Sequence, residues 1–241
     1  MTEELFRADS YQRSCDATVV AAAPDGIRLD RTVFYPMGGG QPGDTGRLCL
    51  ADGTTIEIVD TRKAPDGDAG ILHVPAEGAA LPAPGATVTA EIDWDRRHRL
   101  MRMHTCLHLL SSLVAGGVTG GSVGDGKGRL DFDLPEKTVD KDDLTAALND
   151  LIGRDAPVSM RWITDDELDA QPELVRTMSV QPPRGSGRVR LIAVDGIDLQ
   201  PCGGTHVART GEIGGIAVTK IEKKGKHNRR INLVFTDPPS T

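Results

Sequence analysis

The sequence predicts an α+β protein, with a small β-barrel-like N-terminal domain over residues 1–90 and an α+β domain over residues 91–241. Three observations lead there. Short runs rich in Val, Ile and Thr, bounded by Gly, Pro and Asp, dominate the first ninety or so residues. Around Asp93 the apolar spacing changes from two residues to three or four. Beyond that point helical and strand patterns alternate.

In order, strands are expected at residues 17–22, 54–59 and 86–92, with a short one at 71–74 inside a loop-like stretch, 64–85, loaded with Ala, Gly, Pro and Asp. Thr87-Val88-Thr89-Ala90-Glu91-Ile92 alternates polar and apolar, as a half-buried strand should. Leu100, Met103, Leu107, Leu110 and Val114 then form one stripe of a helix. Asp93 is placed to cap it, and Gly116-Gly117 to stop it. A second helix fits 140–152, with Leu144, Ala147, Leu148, Leu151 and Ile152 on one face. Thr164 and Glu167 form a capping box for a short third helix. Strands at 129–134, 158–163, 188–194, 213–221 and 230–235 complete the second domain.

Composition narrows the function classes. Apolar residues at 38% and charged residues at 26% suit a soluble globular chain of 241 residues with a sizeable core. Aromatics at 3% argue against base stacking on a broad platform as the main mode of nucleic-acid binding. A net charge of −7 argues against a generally basic binder, although local patches can still hold phosphates. Two patches stand out: Arg96, Arg97, Arg99 and Arg102, and then Lys220, Lys223, Lys224, Lys226, Arg229 and Arg230, diluted only by Glu222. Either alone reads as a solvated basic face. No apolar run approaches the ~18–20 residues that cross a bilayer. The acidic start lacks the order of a secretory signal, and Cys15, Cys49, Cys106 and Cys202 are scattered, so a cytoplasmic protein with reduced thiols is expected.

Four residues carry the chemistry: His104, His108, Cys202 and His206. Positions i and i+4 of a helix share a face, so His104 and His108 present two imidazoles side by side. The two glycines in Cys202-Gly-Gly-Thr-His206 let a loop curl until thiolate and imidazole converge. Taken singly, a histidine pair is more often structural and Cys202 a buried small residue. Together they form a tetrahedral zinc set. A metallopeptidase is excluded, because Thr105 stands where H-E-x-x-H has its general base. A catalytic metal here must therefore activate water or orient the scissile bond itself. A third feature, Gly38-Gly39-Gly40-Gln41, is neither a Walker A loop nor a dinucleotide fingerprint. Read alone it is a tight turn, whose glycines would let backbone N–H groups approach a ligand while Gln41 adds an amide.

The His104-Thr-Cys-Leu-His108 pair, the Cys202-Gly-Gly-Thr-His206 loop and the glycine-rich loop, in this order, closely resemble the freestanding alanyl-tRNA editing proteins (the AlaX group, in its longer form). That group is similar to the editing region of alanyl-tRNA synthetase and, more distantly, of threonyl-tRNA synthetase. The match runs from about Thr32 to about Leu233 and includes Lys220-Ile-Glu-Lys-Lys-Gly225. The resemblance implies a barrel-like domain joined to an editing domain, and zinc at His104, His108, Cys202 and His206. It also implies hydrolysis of the ester in tRNA(Ala) mischarged with serine or glycine. No aminoacylation core is expected, so the chain should not charge tRNA by itself.

A site that hydrogen-bonds the serine hydroxyl rejects cognate alanine, which would leave its polar partners unpaired. Gln41 and Thr105 are the candidate hydroxyl readers, with a core-facing Thr105 as the plainer alternative. Asp198 is either an acceptor that orients a ligating histidine or an ordinary turn residue. Lys220, Lys223, Lys224, Lys226 and Arg229 are the expected tRNA contacts, with the arginines from Arg96 to Arg102 either joining them or pairing with acidic neighbours. No protein general base is evident, which leaves a ribose hydroxyl of the terminal adenosine to assist. The competing reading is a tRNA-binding module whose zinc is structural, since four protein ligands can close the coordination sphere.

Overall fold

The computed structural model describes residues 2–65, 70–134, 139–178 and 187–236. The chain divides into two compact units, residues 1–98 and 99–241. Residues 66–69 of the expected loop stretch lie outside the described residues.

The first unit is built on a closed antiparallel barrel. In chain order its strands are β1 (Glu3–Glu4), β2 (Ser14–Ala23), β3 (Gly26–Leu29), β4 (Arg31–Thr32), β5 (Gly46–Leu50), β6 (Thr55–Lys63), β7 (Ile71–Pro75) and β8 (Thr87–Ile92). The barrel runs β2-β3-β7-β6-β5-β8 and closes on itself, while β1 pairs with β4 outside it. Alternation along β6 and β8 sends Ile56, Ile58, Val88, Ala90 and Ile92 inward, where they meet Val19, Ile27, Leu29, Phe34 and Leu48. Closure leaves no unpaired edge in this ring.

A fully buried ion pair stiffens this unit. The Arg97 guanidinium bonds both Asp44 carboxylate oxygens and donates to the carbonyls of Ser10 at 3.0 Å and Val33 at 2.7 Å. Asp44 in turn accepts the Tyr35 N–H at 2.6 Å. Arg97 therefore follows the second of the two readings open for its cluster, pairing with an acidic neighbour rather than with phosphate.

The second unit contains most of α1 (Trp94–Leu113), then β9 (Val118–Val123), β10 (Lys127–Asp133), α2 (Lys141–Gly153), β11 (Val158–Thr164), α3 (Asp165–Asp169), β12 (Arg188–Val194), β13 (Asp198–Pro201), β14 (Ile216–Lys223) and β15 (Asn228–Phe235). Two antiparallel sheets form, β14-β15-β10-β9 and β11-β12-β13. Asp93 accepts the Arg96 N–H at the start of α1. Asp140 caps α2, and Thr164 with Glu167 closes the expected capping box on α3. The apolar stripe of α1 is buried as expected, but Met101, Cys106 and Leu109 on its other sides are buried too. From Met103 to Ser111 this helix is covered all round rather than amphipathic. Gly128 on β10 makes room for it, since a Cβ there would stand 2.6 Å from Met103 Sδ. Among the described residues, no helix is long and apolar enough to cross a membrane.

Candidate metal centre

His104 and His108 lie one turn apart on α1, and Cys202 and His206 lie on the loop that follows β13. These four side chains meet. One donor atom from each lies within 4.8 Å of all the others. Cys202 Sγ is 3.5 Å from His104 Nε2 and 3.3 Å from His206 Nε2. A tetrahedral zinc with bonds of ~2.0–2.1 Å to nitrogen and ~2.3 Å to sulfur sets nitrogen-to-sulfur edges of roughly 3.5 Å. The donor set therefore fits such an ion in element type, and the separations of Cys202 from His104 and His206 fit it in spacing. All three imidazoles are buried and Cys202 is half-buried.

Each remaining ring nitrogen is accounted for where its partner is known. His108 Nδ1 faces Asp198 Oδ2 at 3.3 Å, so its Nε2 is the atom that turns to the cluster. His206 Nδ1 is 3.1 Å from the Thr105 hydroxyl, whose oxygen also accepts the Val207 N–H at 3.2 Å. Asp198 is itself held: Gln200 Nε2 donates to Oδ2 at 2.6 Å, and Arg176 approaches Oδ1 at 3.4 Å. Ser111 ties this shell together, accepting from Gln200 at 3.0 Å through its hydroxyl and from Arg176 at 3.0 Å through its carbonyl. Such carboxylate–imidazole pairs fix the tautomer and the aim of a metal-binding ring.

The loop geometry has its own support. The Cys202 N–H donates to the Arg190 carbonyl at 3.1 Å, which continues the β12–β13 ladder by one residue. The Arg190 guanidinium reaches back to the carbonyls of Cys202 and Gly204, at 3.0 and 2.9 Å. The Gly204 N–H points at Cys202 Sγ, 3.4 Å away. Burial would push the Cys202 thiol up, but the imidazoles of His104 and His206 hold it well below its ordinary value. Burial and then the neighbouring His104 hold His206 well below the usual histidine value. At His108 burial also opposes the charge, yet the bonds from Asp198 and Cys202 outweigh it and push the group up to about 9. A thiolate among imidazoles is the charge arrangement a divalent cation needs.

Sequence reasoning named His104, Thr105, His108, Asp198, Cys202 and His206, and the fold brings all six together. It missed Ser111, Arg176, Arg190 and Gln200. Ser111 lies three residues beyond His108 on one helical face, and Gln200 two beyond Asp198 on one strand face, so both carried a readable spacing. Nothing in the spacing marks Arg176.

The glycine-rich loop belongs to the first unit. Gly38 and Gln41 exchange backbone hydrogen bonds at 3.1 and 3.0 Å around Gly39 and Gly40, whose φ values are 57° and 81°. That is a type I′ hairpin turn, which demands glycine or asparagine at both positions. The amides of Gly38 and Gln41 are thus spent within the turn, and the Gln41 side chain is buried.

The C-terminal basic residues sit on the β14–β15 hairpin. Glu222 takes Lys220 at 3.0 Å and Lys224 at 3.4 Å. Among the described residues, Lys223 and Lys226 are exposed with no carboxylate in ion-pair reach, and Arg229 stands opposite Lys223. The arginine cluster from Arg96 to Arg102 is not a free patch. Arg99 pairs with Asp125 at 2.6 Å, and Arg102 donates to the Ile213 carbonyl and lies over Phe235.

Comparison with known proteins agrees with this architecture. Residues 189–232 match the family model for the second additional domain of threonyl and alanyl tRNA synthetases, and residues 6–96 match the model for class II (A) tRNA synthetases. The alanyl-tRNA editing protein AlaX-M of Methanosarcina acetivorans is 38% identical over 98% of this chain and 100% of its own length. Its counterpart in Saccharolobus solfataricus is 34% identical over 96% and 98%. The alanine–tRNA ligase of Sulfurisphaera tokodaii matches 92% of this chain at 34% identity, through 25% of its own length. With end-to-end likeness to proteins of one kind, on a fold that gathers the two histidine-bearing motifs, the chain belongs to the AlaX-M family of alanyl-tRNA editing proteins.

Proposed function

We propose that this chain is a cytoplasmic deacylase that hydrolyses the ester of seryl- or glycyl-tRNA(Ala) at a zinc centre held by His104, His108, Cys202 and His206. The observation that carries this reading is the convergence of the helical histidine pair and the Cys202 loop within 4.8 Å, in a chain of the AlaX-M family. Zinc held there supplies Lewis-acid polarisation beside the scissile ester. The chain's own residues aim and charge the site. Asp198, fixed by Gln200 and Arg176, orients His108; Thr105 orients His206; Arg190 sets the curl of the Cys202 loop. Asp198 acts through the His108 ring, which makes it a positioning residue. The proposal gives the assisting role for the attacking water to a hydroxyl of the terminal ribose.

Selection follows from unpaired polar groups. A pocket that hydrogen-bonds a hydroxyl rejects alanine, because the cognate residue leaves that partner buried and unsatisfied. Gln41 is the proposed reader of the serine hydroxyl, while the Thr105 oxygen is engaged with His206 and Val207. Lys220, Lys223, Lys224, Lys226 and Arg229 on the β14–β15 hairpin are the proposed phosphate contacts, the lysines exposed and Arg229 half-buried, since accessible cations give salt-dependent affinity without sequence preference.

The test is deacylation of seryl-, glycyl- and alanyl-tRNA(Ala) by the metal-loaded protein, with Cys202→Ala and His104→Ala as controls of verified fold. The proposal expects turnover of the first or second substrate, sparing of the third, and loss in both variants. Four protein donors also suit a purely structural zinc, and that rival expects tRNA binding with no turnover of any mischarged substrate.

A further inference from the structure

The sheet β11-β12-β13 carries a row of residues that leads from the metal centre to an exposed aromatic ring. Cys202 continues β13 beside Arg190, its N–H bonded to the Arg190 carbonyl. Arg190 on β12 stands directly opposite Trp162 on β11. Opposed residues of an antiparallel ladder share a face, so the Trp162 indole and the Arg190 guanidinium project on the same side. Two strand spacings, about 10 Å, separate the Trp162 backbone from that of Cys202. β11 is an edge strand, and Trp162 is 39% exposed, an unusual setting for so large a ring. The Arg188 guanidinium lies over the indole, 4.9 Å from its centroid.

Charge sets this surface apart. The chain as a whole is net −7, yet on β11 and β12 the face that bears Trp162 carries Arg188 and Arg190 and no carboxylate, with Arg161 on the opposite face. An exposed indole with a guanidinium beside it is the chemistry that recognises an unpaired base joined to phosphate: the ring stacks and the cation takes the charge.

We infer that Trp162, with Arg188, is the stacking platform for the terminal nucleobase of the RNA whose ester lies at the His104–His108–Cys202–His206 centre. The inference rests on the deacylase reading for the identity of the ester. The distance along the row is one that a single nucleoside spans, and stacking on a ring face tolerates any base.

Two assays separate this inference from the reading it rests on. In steady-state deacylation, Trp162→Leu raises KM about tenfold with kcat within about twofold, and Trp162→Phe restores most of the loss. In a Trp94→Phe background, which leaves Trp162 as the remaining tryptophan, a short single-stranded RNA with a free 3′ end quenches the fluorescence, and Trp162→Leu lowers its affinity by a similar factor. An unchanged KM in Trp162→Leu, or no quenching by RNA, overturns the inference while deacylation by the intact protein still stands. If the intact protein deacylates nothing, the deacylase reading falls, and quenching by RNA still upholds the platform or its absence overturns it. A shift from dimer to monomer in Trp162→Leu with RNA affinity unchanged assigns the edge to a second copy of the chain and also overturns the inference.

Discussion

Replacing Asp198 with asparagine isolates what the outer shell contributes to the proposed metal centre. The side chain is buried, with Oδ2 accepting from Gln200 at 2.6 Å and facing His108 Nδ1 at 3.3 Å, and Oδ1 facing Arg176 at 3.4 Å. Every known neighbour is a donor. An asparagine amide must therefore turn its NH₂ either toward Arg176 or toward Gln200 and His108, and in both cases a donor meets a donor. With the NH₂ toward Gln200 and His108 the ring loses the acceptor that fixes its tautomer, and with the NH₂ toward Arg176 it keeps only a neutral amide oxygen in place of a carboxylate. Loss of such a partner costs about 10–100-fold in metal affinity, which is about 1.4–2.8 kcal/mol. The assay is competition for zinc against a chelator of known affinity, with circular dichroism to show that the fold is intact. An affinity within twofold of the parent would refute the view that Asp198 aims His108.

The remaining expectations concern the barrel unit. Asp44→Asn leaves the buried Arg97 guanidinium without its counter-charge, and should lower unfolding free energy by about 3–5 kcal/mol in urea titrations; a change below 1 kcal/mol contradicts the role given to the pair. His73 is buried with Nδ1 on the Ile27 carbonyl and Nε2 on the Thr32 hydroxyl, and burial holds its pKa down at about 4 against an ordinary 6.5. The folded state thus refuses a proton that the unfolded chain accepts, so this contribution is complete above pH 6.5 and is lost as pH falls toward 4, by about 3 kcal/mol in all. The difference in pH slope between the parent and His73→Gln measures it, and parallel slopes would exclude it. Gly43→Ala places a Cβ 2.0 Å from the Thr61 carbonyl oxygen, a backbone atom that cannot step aside; a loss of at least about 2 kcal/mol is expected from thermal unfolding.

The sequence reveals what is periodic or capped and conceals what is assembled across distance. The alternation in 87–92 and the stripe from Leu100 to Val114 translate directly into β8 and α1, because burial selects one face at a fixed period. β5 and β13 escape that logic. Gly-Arg-Leu-Cys-Leu lacks β-branched residues, and Asp-Leu-Gln-Pro begins and ends on residues typical of turns, so ladder pairing rather than propensity makes them strands. The metal cluster is legible because both of its halves are local motifs. The Arg97–Asp44 pair is not, since a guanidinium near other arginines looks solvated until the fold supplies its carboxylate. One hint was present: Arg97 precedes Leu100 by three and lies in line with the apolar stripe of α1. Arg176 carried no such mark, and its part in the site is visible only through Asp198.

X-ray absorption at the zinc edge of the purified, zinc-loaded protein, with metal content measured on the same sample, tests the shared coordination sphere without recourse to activity. The account predicts one zinc per chain with three nitrogen neighbours at ~2.0–2.1 Å and one sulfur at ~2.3 Å, and loss of the sulfur shell in Cys202→Ala. Zinc held without sulfur, or a spectrum that Cys202→Ala leaves unchanged, would contradict it.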